Sequence, residues 1–176
     1  MSSGWLRTVG AGLALGAGWG VLVRVYMRLV STAPSFSWSG TLFIIGVAAL
    51  AGAALGVVQA ARVRRARRWW RAAALGALPL FAGPGMLLLP ALVVGGWAWS
   101  GRGPVLLRVV AVLPLLAVPL EVWQGLEPID RLLLSPVTVF GGFWLLSLTL
   151  AAAGAVVFRP WPQRVLREEP VGAFMA

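Results

Sequence analysis

Residues 72–101 read AAALGALPLFAGPGMLLLPALVVGGWAWSG, 30 positions without a charge. As one straight α-helix they would measure ~45 Å, against ~30 Å of bilayer hydrocarbon. Pro79, Pro84 and Pro90 interrupt the run, and Gly83-Pro84-Gly85 stands at its centre. Proline removes a backbone donor and glycine releases the steric restriction on φ, so this tripeptide is predicted to break the segment into two short halves. Whether 72–101 crosses a membrane once or turns back decides the side on which every later charge lies.

The flanking sequence sets the class. With 60% hydrophobic and 11% charged residues, the 176-residue chain lies outside globular usage, in which roughly a quarter of residues are charged. Uncharged runs at 29–61, 72–101 and 132–158 each exceed the ~20 residues that a membrane-crossing helix needs. The predicted fold is all-α: a single polytopic integral membrane helical bundle with four to six membrane segments, the third of them broken by proline and glycine. A first helix is predicted over about 5–30 and a second over 39–61. A cytoplasmic basic loop covers 62–71 and a broken or re-entrant hairpin 72–101. A short helix over 104–123, an acidic outer loop over 124–136, a last helix over 137–158 and a cytoplasmic tail over 159–176 complete the chain. The first segment is read as a retained helix rather than a cleaved signal peptide, because Arg24 and Arg28 separate its apolar run from the small-residue site at 31–33.

Composition also excludes chemistry. All 15 basic residues are arginine, and histidine and cysteine are absent. Without lysine there is no Schiff base to retinal or pyridoxal phosphate. Without thiolate or imidazole, the usual ligands of zinc, haem, copper and iron–sulfur clusters are missing, as are the bases of a cysteine or histidine dyad. No cofactor, metal site or catalytic residue is assigned. Arginine without lysine, amid abundant alanine, glycine, valine and leucine, suggests a GC-rich bacterial genome.

The charges cluster. QAARVRRARRWWRAAA, residues 59–74, holds Arg62, Arg64, Arg65, Arg67, Arg68 and Arg71 with Trp69 and Trp70. Short basic loops stay on the cytoplasmic face and tryptophan prefers the headgroup level, so the run is read as a lipid-facing anchor that contacts anionic headgroups. A nucleic-acid role is rejected because no polar base-reading side chains are interleaved. If 72–101 crossed once in a five-span chain, Arg102 and the tail arginines would lie outside, against the positive-inside rule. An even number of crossings puts both termini in the cytoplasm. Either 72–101 turns back, or it crosses and 104–123 does not.

Two spacings mark candidate contacts. Gly12, Gly16 and Gly20 lay a groove along the first helix, and Ala48, Gly52 and Gly56 answer on the second, so the two are predicted to pack closely; chance is the competing reading in a chain with 22 glycines. Arg24 and Arg28 share a face at the outer end of the first helix, where Glu121, Glu127 and Asp130 are the available acids. An ion pair or ligand site among these five is expected, against the alternative that both arginines reach lipid phosphate. Two functional readings remain. One is an accessory or structural subunit packing on a membrane partner; the other is a homo-oligomeric channel or transporter-like protein handling an anion or lipid headgroup near the Gly83-Pro84-Gly85 break.

Overall fold

A computed structural model describes residues 3–31, 36–124 and 134–162, apart from the side chains of residues 83, 84, 114, 121 and 122. The chain is an all-α membrane bundle. Among the described residues, three helices are long and apolar enough to cross a bilayer: α1 (Ser3–Leu29), α2 (Trp38–Val63) and the last, α5 (Pro136–Phe158). Hydrocarbon offers no hydrogen-bond partners, so these uncharged stretches must close their backbone bonds internally, and the helix is the local way to do so.

α1 and α2 form an antiparallel hairpin. A Cβ added at Gly16 would strike the Ala48 carbonyl and lie 3.0 Å from the Gly52 Cα, and one at Gly12 would strike the Gly52 carbonyl. At Gly20 it would come within 2.9 Å of the Ala48 Cβ, and at Gly56 within 3.0 Å of the Thr8 carbonyl. The two backbones are therefore in direct contact along the length of the pair. α2 begins under a serine cap, but the capping residue is Ser37, whose Oγ accepts from the Gly40 N–H at 3.3 Å, rather than Ser39.

α2 ends in the middle of the arginine run by a mechanism that needs no glycine. The Ala66 N–H donates to the Ala61 carbonyl at 2.9 Å and the Arg65 N–H to the Arg62 carbonyl at 3.0 Å, the two bonds of a Schellman cap. Arg65 takes the left-handed position with φ 52°.

The hairpin that follows starts earlier than the sequence suggests, at Arg68 rather than at residue 72. Its outgoing arm, Arg68–Phe81, is a long 3₁₀ helix. At ~2.0 Å per residue its 14 residues cover ~28 Å, about a third more than an α-helix would. Three residues per turn also sort the side chains: Trp69, Leu75 and Leu78 face outward, while Ala74 and Ala77 face α2. The arm stops at Ala82, which is extended (φ −66°, ψ 138°), and a second 3₁₀ turn runs from Gly83 to Leu88. Gly85 has no room for a side chain because the Leu80 carbonyl occupies that space.

The chain then returns. Pro90 cannot donate to the preceding turn, and the next stretch, Ala91–Gly95, is a π turn in which the Gly96 N–H reaches the Ala91 carbonyl. α3 (Gly96–Trp99) follows, pressed on α5: a Cβ at Gly96 would fall 2.7 Å from the Gly154 carbonyl carbon, and one at Gly95 2.8 Å from the Ala151 Cβ. The outgoing arm packs along α2 and the following one along α5, and Arg102, just past the run, lies near enough to Arg71, just before it, for their charges to act on each other. Gly101 and Gly103, both at φ 78°, turn the chain into α4 (Val105–Gln124), which leans on α5 through Trp123 against Phe140, 5.8 Å between centroids.

Candidate functional site

Trp5, near the start of the described chain, and Trp161, near its end, pack with Val58 and Ala61 in one cluster beneath the arginine run. The Trp161 Nε1–H donates to the Ala66 carbonyl at 2.6 Å. Trp69 stacks on Trp70, which meets Trp5 edge-on at 5.6 Å. The arginines are then held by carbonyls and aromatic faces. Arg62 donates from Nε to the Pro160 carbonyl at 3.3 Å and from Nη1 to the Gln59 Oε1 at 3.4 Å. Arg71 donates from Nη2 to the Arg159 carbonyl at 3.0 Å. Arg64 lies 5.5 Å over the Trp5 ring and Arg71 5.4 Å over that of Trp161. Arg65, Arg67 and Arg68 complete this basic corner.

No carboxylate of the described residues balances this end, since the only acidic residue among them, Glu121, belongs to the far end of α4. The Arg71 guanidinium, outside the three spanning helices, is pushed below the ordinary arginine value, first by desolvation and then by the positive charges of Arg102, Arg68 and Arg62. Its Nε is buried without a hydrogen-bond partner among the described residues. Positive charge is thus concentrated and only partly satisfied.

At the opposite end, Arg24 donates from Nε to the Thr41 Oγ1 at 3.0 Å, and Arg28 lies 5.5 Å over the Phe36 ring. Thr41 in turn donates to the Ser37 carbonyl, so Arg24 bonds a helix-capping turn. Glu127, Asp130 and the Glu121 side chain lie outside the described residues, and with them the pairing expected from sequence. Gly83-Pro84-Gly85 forms the tip of the hairpin, one residue past the extended Ala82.

Two apolar clefts separate α1 from α5. The first, about 790 Å³, runs between α1, α2 and α5 from Thr8 and Gln59 to Leu22. The second, about 510 Å³, lies beside the hairpin tip among Tyr26, Phe43, Phe81 and Phe143. Trp19 and Leu80 border both. The Trp19 Nε1–H donates to the Thr149 Oγ1 at 3.1 Å, and the Tyr26 hydroxyl donates to the Val139 carbonyl at 2.9 Å, bridging α1 to α5 across each cleft. Sequence reading did not single out Trp19, Tyr26 or Trp161. A lone tyrosine and an indole inside apolar helices were the available signal, since such polar tips seek partners. Among the described residues no group of three or more acidic, histidine or cysteine side chains is placed to hold a metal.

No protein-family model matches the chain, and no curated protein or solved structure is significantly similar to it. The class defined by the fold is a helical membrane bundle, and function must be argued from the geometry alone.

Proposed function

We propose that this chain is a small accessory or structural subunit of a membrane assembly, embedded in a bacterial cell membrane with both termini in the cytoplasm. One observation carries the subunit reading. α1 bears small residues on two sides: Gly12, Gly16 and Gly20 are filled by α2, whereas an added Cβ at Gly4, Gly10 or Gly18 would meet nothing within 4 Å. Gly10, Ala14 and Gly18 repeat the four-residue spacing that brings membrane helices into backbone contact; Ala14 and Gly18 also line the larger cleft, so a partner helix on this face would lie along the cleft's open side. The orientation rests on the positive-inside rule: the arginine corner, Arg102 and Arg159 gather at the end where the described chain starts and finishes.

A channel or transporter is the second reading, and the clefts are what it would use. Their walls are almost wholly apolar, with Thr8, Gln59, Trp19 and Thr149 the polar side chains of the larger one, so a hydrophilic solute finds few partners there. The decisive measurement is the native mass of the protein gently extracted from its host membrane. A stoichiometric foreign chain is the expected result, and a lone homo-oligomer that mediates anion flux in vesicles would overturn the subunit reading. A tag at residue 176 accessible from outside intact cells would overturn the orientation.

A further inference from the structure

We infer that the cleft between α1, α2 and α5 holds an acyl chain of an anionic phospholipid, with the phosphate at Arg62. Length comes first. From Thr8 to Leu22 the cleft follows α1 for ~21 Å, somewhat more than the ~15 Å depth of one bilayer leaflet.

Chemistry runs the same way along that length. Leu15, Ala51, Leu55, Leu150 and Ala153 make a wall with nothing for a polar ligand to bond. The groups that interrupt it are already satisfied: Thr8 donates to the Gly4 carbonyl at 3.0 Å, and Trp19 and Thr149 bond each other. Polarity is confined to one end. There Gln59 lines the cleft and accepts from Arg62, which among the described residues spends two of its five N–H donors, on Gln59 and Pro160. Arg71, whose buried Nε has no partner among the described residues, adds its charge beside Arg62. An apolar slot that ends in incompletely satisfied arginines is complementary to a lipid with a negative headgroup.

The test is to exchange the full-length protein into vesicles of equal parts phosphatidylglycerol and phosphatidylcholine, extract it gently and count retained lipids by native mass spectrometry. One phosphatidylglycerol per chain, kept in preference to phosphatidylcholine, is expected. Arg62→Gln should still retain a lipid but lose about fivefold of that preference. Ala153→Phe, which fills the slot, should retain none while Ala152→Phe on the exposed side of α5 retains it as before. No retained lipid in the unaltered protein, undiminished retention in Ala153→Phe, or displacement by inorganic phosphate alone would overturn the inference. Should Ala153→Phe fail to fold, phosphatidylglycerol with a photoreactive acyl chain can be crosslinked to the unaltered protein. Labels at Leu150 and Ala153 are expected, and labels confined to outward residues such as Leu145 and Leu148 would count against the site.

Discussion

α1 has two neighbours and meets them in opposite ways. Against α2 its backbone touches backbone from Thr8 to Gly20, through glycine and alanine. Against α5 it stands off, and two clefts open between the few side chains that reach across, Trp19 to Thr149 and Tyr26 to the Val139 carbonyl. Both sides are apolar, so the hydrophobic effect cannot choose between them; lipid tails are as apolar as leucine. The difference is one of size. Where side chains are absent, dispersion between closely packed main chains holds the helices together, and where an indole and a phenol stand between them, room is left for something else.

The largest expected effect sharpens that contrast directly. Leucine at Gly52 would drive into the Gly12 carbonyl and the Gly16 main chain, 2.8 Å from its Cα, and should cost at or above the top of the ~1–3 kcal/mol typical of overpacking. Leucine at Gly18, which meets nothing, should change stability by less than ~0.5 kcal/mol. Thermal unfolding in detergent, followed by tryptophan fluorescence, compares the two, and equal losses would erase the distinction between the faces.

Close packing extends to the returning arm of the hairpin. Gly154→Ala pushes into the Leu92 carbonyl, so a loss of about 1–3 kcal/mol is expected in the same assay. A neutral result would mean that the arm yields, and that its backbone contact with α5 is unlike the α1–α2 seam. At the corner between these regions the sign reverses. Arg65 occupies a left-handed conformation that costs an L-residue with a side chain roughly 1–2 kcal/mol, so Arg65→Gly should raise stability by up to about 1 kcal/mol, net of the entropy glycine loses on folding. The smallest change belongs to the loose side. Tyr26→Phe removes one hydrogen bond to Val139 and should cost about 0.6 kcal/mol, with retained lipid unchanged because Tyr26 borders the other cleft.

How much of this was legible in the sequence depends on what membranes erase. Uncharged runs of helical length give the fold class, and the glycine spacings are visible as spacings. The 3₁₀ arm is not visible. Its outward row, Trp69, Leu75 and Leu78, is as apolar as its inward row of alanines, because both faces avoid water, and no periodicity survives. The basic corner was legible as a cluster of charge, but its partners, Pro160, Arg159 and Trp161, are supplied from far along the chain. Serine capping was visible in SFSWSG, yet choosing Ser37 over Ser39 needed the backbone of the turn.

That distance has a consequence in time. The bonds that fasten the basic corner join residues 88, 95 and 98 positions apart: Arg71 to Arg159, Trp161 to Ala66 and Arg62 to Pro160. At roughly 5–20 residues per second, a ribosome needs on the order of 5–20 seconds between making the first partners and the last. Through that interval α1 and α2 can already be zipped by their glycines while α5, the third wall of the larger cleft, does not yet exist. The cleft therefore gains its third wall last, and it stays open along Leu15, which is 76% exposed, so that what lies against α1 and α2 can still exchange after synthesis.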